Sequence, residues 1–171
     1  MEVSSGRRNH SSPYTGFVQP DARLVVDFLN TVNVEHGTDL LDEPERWRSW
    51  AAGHDLAPSP PDETREARDA LRAAVGDPRL PARSLDVAAR IALTSAGPSL
   101  VADDALGAVL AACARLVVRG DWIRLKICPA DTCLWAFYDE SRNRSRTWCS
   151  MRVCGNREKA RGWRARAAIS G

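Results

Sequence analysis

Apolar residues recur at helical spacing through the first two thirds of the chain. Val25, Phe28, Leu29 and Val32 stand at i, i+3, i+4 and i+7, which predicts a buried helix over residues 24–32, with a strand as the alternative because of its β-branched residues. Asp42 followed by Glu45 has the form of a capping box, Pro44 suits a first turn, and Trp47 and Trp50 share a face, so a short helix is expected to end near Gly53. Ala57-Pro58-Ser59-Pro60-Pro61 is a linker. Over residues 62–75 a charged helix carries the stripe Ala67, Ala70, Leu71, Ala74 and Val75 and stops at Gly76. A further helix is predicted over 84–95 from Leu85, Ala88, Ile91 and Ala92, closed by Gly97-Pro98. The clearest helix covers 103–119, with Asp103 or Asp104 as N-cap, Leu106, Val109, Leu110, Cys113, Leu116 and Val117 on one face, and Gly120 at the exit.

Beyond Asp121 the period changes. Residues 122–127 alternate apolar and polar as a half-buried strand does, 134–139 and 144–148 read as a hairpin around 140–143, and 156–168 read as a helix. The predicted fold is mainly α: a helical N-terminal domain over 20–121, then a small module over 122–171 built of a strand, a β-hairpin and a C-terminal helix. Residues 1–19 are rich in Ser, Arg and Asn without an apolar period and are expected to form a disordered arm.

Charge divides at the same point. The whole chain of 171 residues carries a net +2, but residues 1–121 hold 13 Lys and Arg against 18 Asp and Glu, while 122–171 hold 11 against 4. An acidic body is therefore joined to a basic tail, which also contains four of the six tryptophans and four of the five cysteines. No apolar run approaches the roughly 18–20 residues of a membrane span, and the start lacks a signal-peptide core, so a cytoplasmic protein without membrane contact is expected.

In a reducing compartment paired cysteines are better metal ligands than disulfides. Cys128-x4-Cys133 and Cys149-x4-Cys154, separated by a hairpin-length insert, form a four-cysteine zinc pattern. Four thiolates complete a tetrahedral shell around one Zn2+ and leave no position for water or substrate, so the site is structural. It would supply what some fifty residues lack in core area. Cys113 sits mid-stripe and reads as a buried small hydrophobe, and His10, His36 and His54 are scattered without ligand spacing.

The basic residues are ordered. Arg144, Arg146 and Trp148 share one face of the second hairpin strand, with Arg142 in the turn before it, and Arg157, Arg161 and Arg164 form a stripe on the last helix. Arginine matches phosphate oxygens bidentately, which makes these six the candidate nucleic-acid contacts. Trp163 is expected to pack under its helix rather than to stack on bases. Some of this charge would also compensate the formal −2 of a zinc ion held by four thiolates.

The segment Trp148-Cys149-Ser150-Met151-Arg152-Val153-Cys154-Gly155-Asn156-Arg157, preceded by residues 139–146, resembles the CGNR zinc finger, and the resemblance extends over residues 123–166. Leu24-Val25-Val26-Asp27-Phe28-Leu29-Asn30-Thr31 resembles the opening motif of the ABATE domain, which accompanies that finger in bacterial proteins described as stress-induced transcription regulators. The resemblance implies a mainly helical N-terminal domain, zinc on Cys128, Cys133, Cys149 and Cys154, and DNA as the partner.

Three functions compete: a DNA-binding regulator, an RNA-binding module using the same surface, and a protein-interaction adaptor. An enzyme is not expected, because no nucleophile has a plausible base, no Gly-rich phosphate loop is present and no zinc position stays open. A single finger buries too little surface for tight specific binding, which suggests a homodimer. Asp27 and Asn30, spaced i, i+3 in an apolar run, are candidates to line a pocket for a small-molecule effector; the simpler alternative is that they hydrogen-bond neighbouring helix ends.

Overall fold

Proline fixes the entry to the first helix. The computed structural model describes residues 19–169, so the arm expected over 1–19 lies outside the described residues except for Gln19. Helix α1 (Pro20–Leu29) places Pro20 in its first turn, where a missing N–H costs nothing, and buries Ala22, Val25, Val26, Phe28 and Leu29. The helical reading therefore holds for most of the motif, and only its β-branched end becomes strand: β1 (Val32–Asn33) pairs with β2 (Thr38–Asp39).

Helix α2 (Pro44–Gly53) starts without the expected capping box. Its cap residue, Glu43, makes no side-chain bond to the helix's first N–H groups and accepts from Arg46 at 2.7 Å instead, while Asp42 turns away to pair with Arg65 at 2.7 Å and Glu45 pairs with Arg48. Trp47 is buried, stacks on Trp50 with ring centres 5.0 Å apart, and donates its indole N–H to the Ser59 carbonyl at 2.9 Å. The proline-rich linker then acts as a cap for a distant helix. Ser59 Oγ accepts the Leu106 N–H and the Ala57 carbonyl accepts that of Ala105, both at 2.8 Å, and Asp104 accepts the N–H of Gly107 at 2.9 Å. Three of the N–H groups that α4 (Ala105–Val118) leaves without partners in its first turn are thus satisfied.

Helix α3 (Pro61–Ala74) departs from its predicted amphipathic form. Alongside Ala67 it buries Arg68 and Arg72, which are only 2% and 1% exposed. Arg68 forks onto both oxygens of Asp39 at 2.7 Å, and Arg72 holds Asp77 at 2.8 Å. Buried charges persist only when paired and fully hydrogen-bonded, and these are.

The helix predicted over 84–95 is absent. Strands β3 (Arg90–Thr94) and β4 (Gly97–Val101) form an antiparallel hairpin in its place, and the Gly97 taken as a helix stop sits at φ +110°, directly after a two-residue turn. Ile91 and Leu93 remain 67% and 84% exposed on it, so the apparent helical spacing reflected no buried face.

Helix α4 packs against α1, and Arg115 and Arg119 fasten the two by gripping Asp21 at 2.7 and 2.8 Å. Cys113 lies in the core, where burial pushes its thiol up to about 12. After a short 3-10 turn come β5 (Leu125–Ile127), its antiparallel partner β6 (Ala136–Tyr138) and the final helix α5 (Asn156–Ile169). Helices predominate among the described residues, with three two-stranded hairpins added.

The core does not stop at Asp121. One apolar cluster joins Phe28, Leu29, Trp47 and Leu116 to Leu125, Ile127, Leu134 and Tyr138, while Cys128, Ala130, Phe137 and Cys154 form a smaller second one. Fully burying each large side chain contributes on the order of 1.5–3 kcal/mol, so a shared core binds the two regions firmly. Among the described residues no helix is long and apolar enough to cross a membrane.

Candidate metal centre and the basic surface around it

The first cysteine pair is set by a tight loop. The N–H groups of Cys133 and Leu134 both bond the Ala130 carbonyl, at 2.8 and 3.2 Å, and the Cys128 N–H bonds the Trp135 carbonyl at 2.9 Å, so residues 128–135 close on themselves. Leu134 adopts φ +47°, the left-handed turn that carries the chain into β6. Of the second pair, Cys149 precedes and Cys154 lies within a π-helical turn over Met151–Gly155, where Ser150 caps the Val153 N–H at 3.3 Å and its carbonyl accepts from Cys154 and Gly155.

These two loops bring the four sulfurs within 4.8 Å of one another, with Cys133 to Cys149 and Cys149 to Cys154 both at 3.6 Å. Tetrahedral coordination at about 2.3 Å requires sulfur separations of about 3.8 Å, so the donor set fits one Zn2+. The thiols also show why a cation belongs there. Hydrogen bonds from Cys133 and Cys149 draw Cys128 toward the thiolate, and that thiolate pushes Cys133 and Cys149 up; burial pushes Cys154 up. A metal ion removes this conflict by holding all four as thiolates.

The strand expected over 144–148 does not form, because β6 pairs with β5 instead. Residues 140–147 are a loop, with Arg144 at φ +53°, so Arg144, Arg146 and Trp148 do not share a strand face. Its organiser is Asp139, which has no exposed surface: its carboxylate accepts Lys126 Nζ at 2.6 Å and the N–H groups of Ser141 and Arg146 at 2.9 Å each. Burial alone would raise its pKa, but Lys126 and these donors outweigh it and hold the carboxyl at about 2. Lys126 also bonds the carbonyls of Arg144 and Arg146, and Arg124 those of Asp139 and Ser141. Sequence reasoning missed this pair; the only signal was Asp139 directly before a turn.

The six candidate arginines separate by what holds them. Arg146 is spent inside the finger: it donates to the carbonyls of Trp148 and Cys149 and lies 5.0 Å over the Phe137 ring, so it supports the metal loop rather than facing a partner. Arg157 donates to Thr132 at 3.0 Å and pairs with Glu35 at 3.5 Å, and Arg161 pairs with Asp131 at 2.9 Å and Glu158 at 2.6 Å. That stripe therefore docks α5 on the first cysteine loop. Arg142 and Arg144 are exposed without an acidic partner among the described residues, as are Arg152 and Lys159, and Arg164 bonds only the Ala160 carbonyl of its own helix at 3.3 Å. Trp163, expected to pack, is 68% exposed on the side of α5 opposite Arg161.

Asn30 is hydrogen-bonded within the fold, as the simpler alternative expects, though to a strand rather than to a helix end. Its amide clasps Ala136 from both sides, donating to the carbonyl at 2.9 Å and accepting the N–H at 2.8 Å, as a neighbouring strand would. Asp27 lies within 4.0 Å of Arg23 and His54, and burial raises its pKa.

A helical body fused through a common core to a four-cysteine finger defines a two-part protein built around structural zinc. Residues 124–167 match the family model of the CGNR zinc finger, and residues 22–120 match the ABATE model, described as "Putative stress-induced transcription regulator". The second match spans more than half the chain, and the protein belongs to that family. No curated protein matches the chain.

Proposed function

We propose that the protein is a transcription regulator that binds DNA through the zinc-held finger. The observation that carries this reading is how charge is consumed. Asp131 and Glu158 are taken by Arg161, and Asp139 by Lys126, whereas Arg142, Arg144, Arg152 and Lys159 have no acidic partner among the described residues. Arg142 and Arg144 project from a loop fixed by Asp139, and Arg164 adds a guanidinium from α5. Cations held in place without an internal counter-charge are suited to phosphate oxygens. Arg157 and Arg161 would first have to release Glu35 and Asp131.

Fluorescence anisotropy of a labelled duplex tests this. Four phosphate contacts predict that log K falls against log salt with a slope of roughly −3 to −4. Changing Arg142, Arg144 and Arg152 together to Glu is expected to abolish binding at about 50 mM salt, within the roughly 50–200 mM range where such contacts are measured. No binding by the unaltered protein, or none lost in the triple variant, would overturn the reading. Exposed Trp163 favours a second one, since an aromatic beside Lys159 is a platform for unstacked bases in single-stranded RNA. Competition between duplex DNA and single-stranded RNA decides between them.

A further inference from the structure

Helices α3 and α4 do not close on each other along their whole length. They face each other through small residues, Ala70 and Ala74 against Gly107 and Ala111, and leave a cavity of about 400 Å3 floored by Leu71 and Leu110. Residues 83–89 and the end of β4 form the remaining wall. Native interiors fill such space, and a cavity of this size falls in the range of small-molecule sites.

The wall holds one charged side chain, Arg83. Every other arginine of residues 19–121 pairs with a carboxylate, from Arg23 with Asp27 to Arg119 with Asp21. Arg83 alone has no partner among the described residues, although Asp62, Glu66 and Asp69 line the groove on its other side. In an acidic body that uses its arginines to neutralise carboxylates, a guanidinium left over at the mouth of an apolar cavity is an anion receptor.

The geometry points to a binding site for a small organic monocarboxylate with an apolar body, its carboxylate on Arg83 and its hydrocarbon portion between α3 and α4. A single guanidinium matches a single carboxylate, and the three neighbouring carboxylates disfavour ligands of higher charge. The apolar walls require more than a bare anion: acetate would satisfy Arg83 but bury almost nothing. This site is independent of whether the finger binds DNA.

Calorimetric titration of the zinc-loaded protein with octanoate, 3-phenylpropionate, 1-octanol and acetate tests the assignment. One of the two larger acids is expected to bind at least tenfold more tightly than 1-octanol or acetate, a charged hydrogen bond being worth about that factor or more. Arg83→Gln, a surface change that leaves the core intact, should bring acid and alcohol to similar affinity. Ala70→Leu should fill the cavity and weaken both, with circular dichroism and zinc content confirming that the variant is folded. Failure of both larger acids to bind at millimolar concentration would overturn the proposal, as would acid binding unchanged by Arg83→Gln.

Discussion

Asp139 shows most directly how one side chain sets the shape of the exposed basic loop. It touches no partner, yet Lys126, Ser141 and Arg146 all converge on it, and the loop bearing Arg142 and Arg144 hangs from that knot. Asp139→Asn leaves the half-buried Lys126 without its counter-charge and is expected to cost about 3 kcal/mol in urea unfolding at constant zinc. The pH dependence follows from the same contacts. A carboxyl depressed to about 2 from an ordinary value near 3.9 stabilises the fold fully above about pH 4 and loses that contribution as pH falls toward 2. Observation of the Asp139 carboxyl by NMR should show no titration above about pH 4, and a midpoint there or higher would contradict the contact set. A pattern of spacing cannot disclose such a residue, because an Asp before a turn reads the same whether it is solvated or buried.

At the level of elements, what was legible depended on where the information lies. Helices α3 and α4 could be read because the apolar period and the glycine shortly past each end agree over ten or more positions. The cysteine spacing disclosed the metal centre for a similar reason, since ligand identity is the chemistry itself. The β3–β4 hairpin was missed because Leu85, Ala88, Ile91 and Ala92 fall at helical spacing by coincidence, and Gly97 can end a helix or follow a hairpin turn. The strand over 136–138 was legible, but its partner was wrongly placed at 144–148 because pairing is non-local: β6 has β5 as partner and Asn30 on its other flank. That flank gives a prediction. Asn30→Ala leaves the Ala136 N–H and carbonyl without partners, is expected to cost about 1–3 kcal/mol, and should speed zinc transfer to a chelator because β6 lies between the cysteine pairs. Unchanged transfer kinetics would show that the clasp does not support the metal loop.

For the whole molecule, the division at Asp121 is one of charge and sequence more than of packing. Arg72 on α3 donates to the carbonyl of Leu29 and, across the division, to that of Leu134, next to Cys133, both at 2.7 Å. Together with the common apolar cluster, these contacts predict that the zinc-loaded chain melts in one calorimetric transition; two separated transitions would show independent units. Removing zinc is then expected to lower the stability of the helical body as well as the finger. The near-neutral net charge conceals this arrangement: an acidic body whose arginines are almost all internally paired, and a finger in which Arg142, Arg144, Arg152 and Lys159 are exposed without an acidic partner among the described residues. The most direct test of the central claim is duplex binding followed by anisotropy through one cycle of zinc removal and return. The account predicts that binding is lost on chelation and regained with one equivalent of Zn2+ per chain. Equal binding by the metal-free protein, or none by the zinc-loaded one, would contradict it.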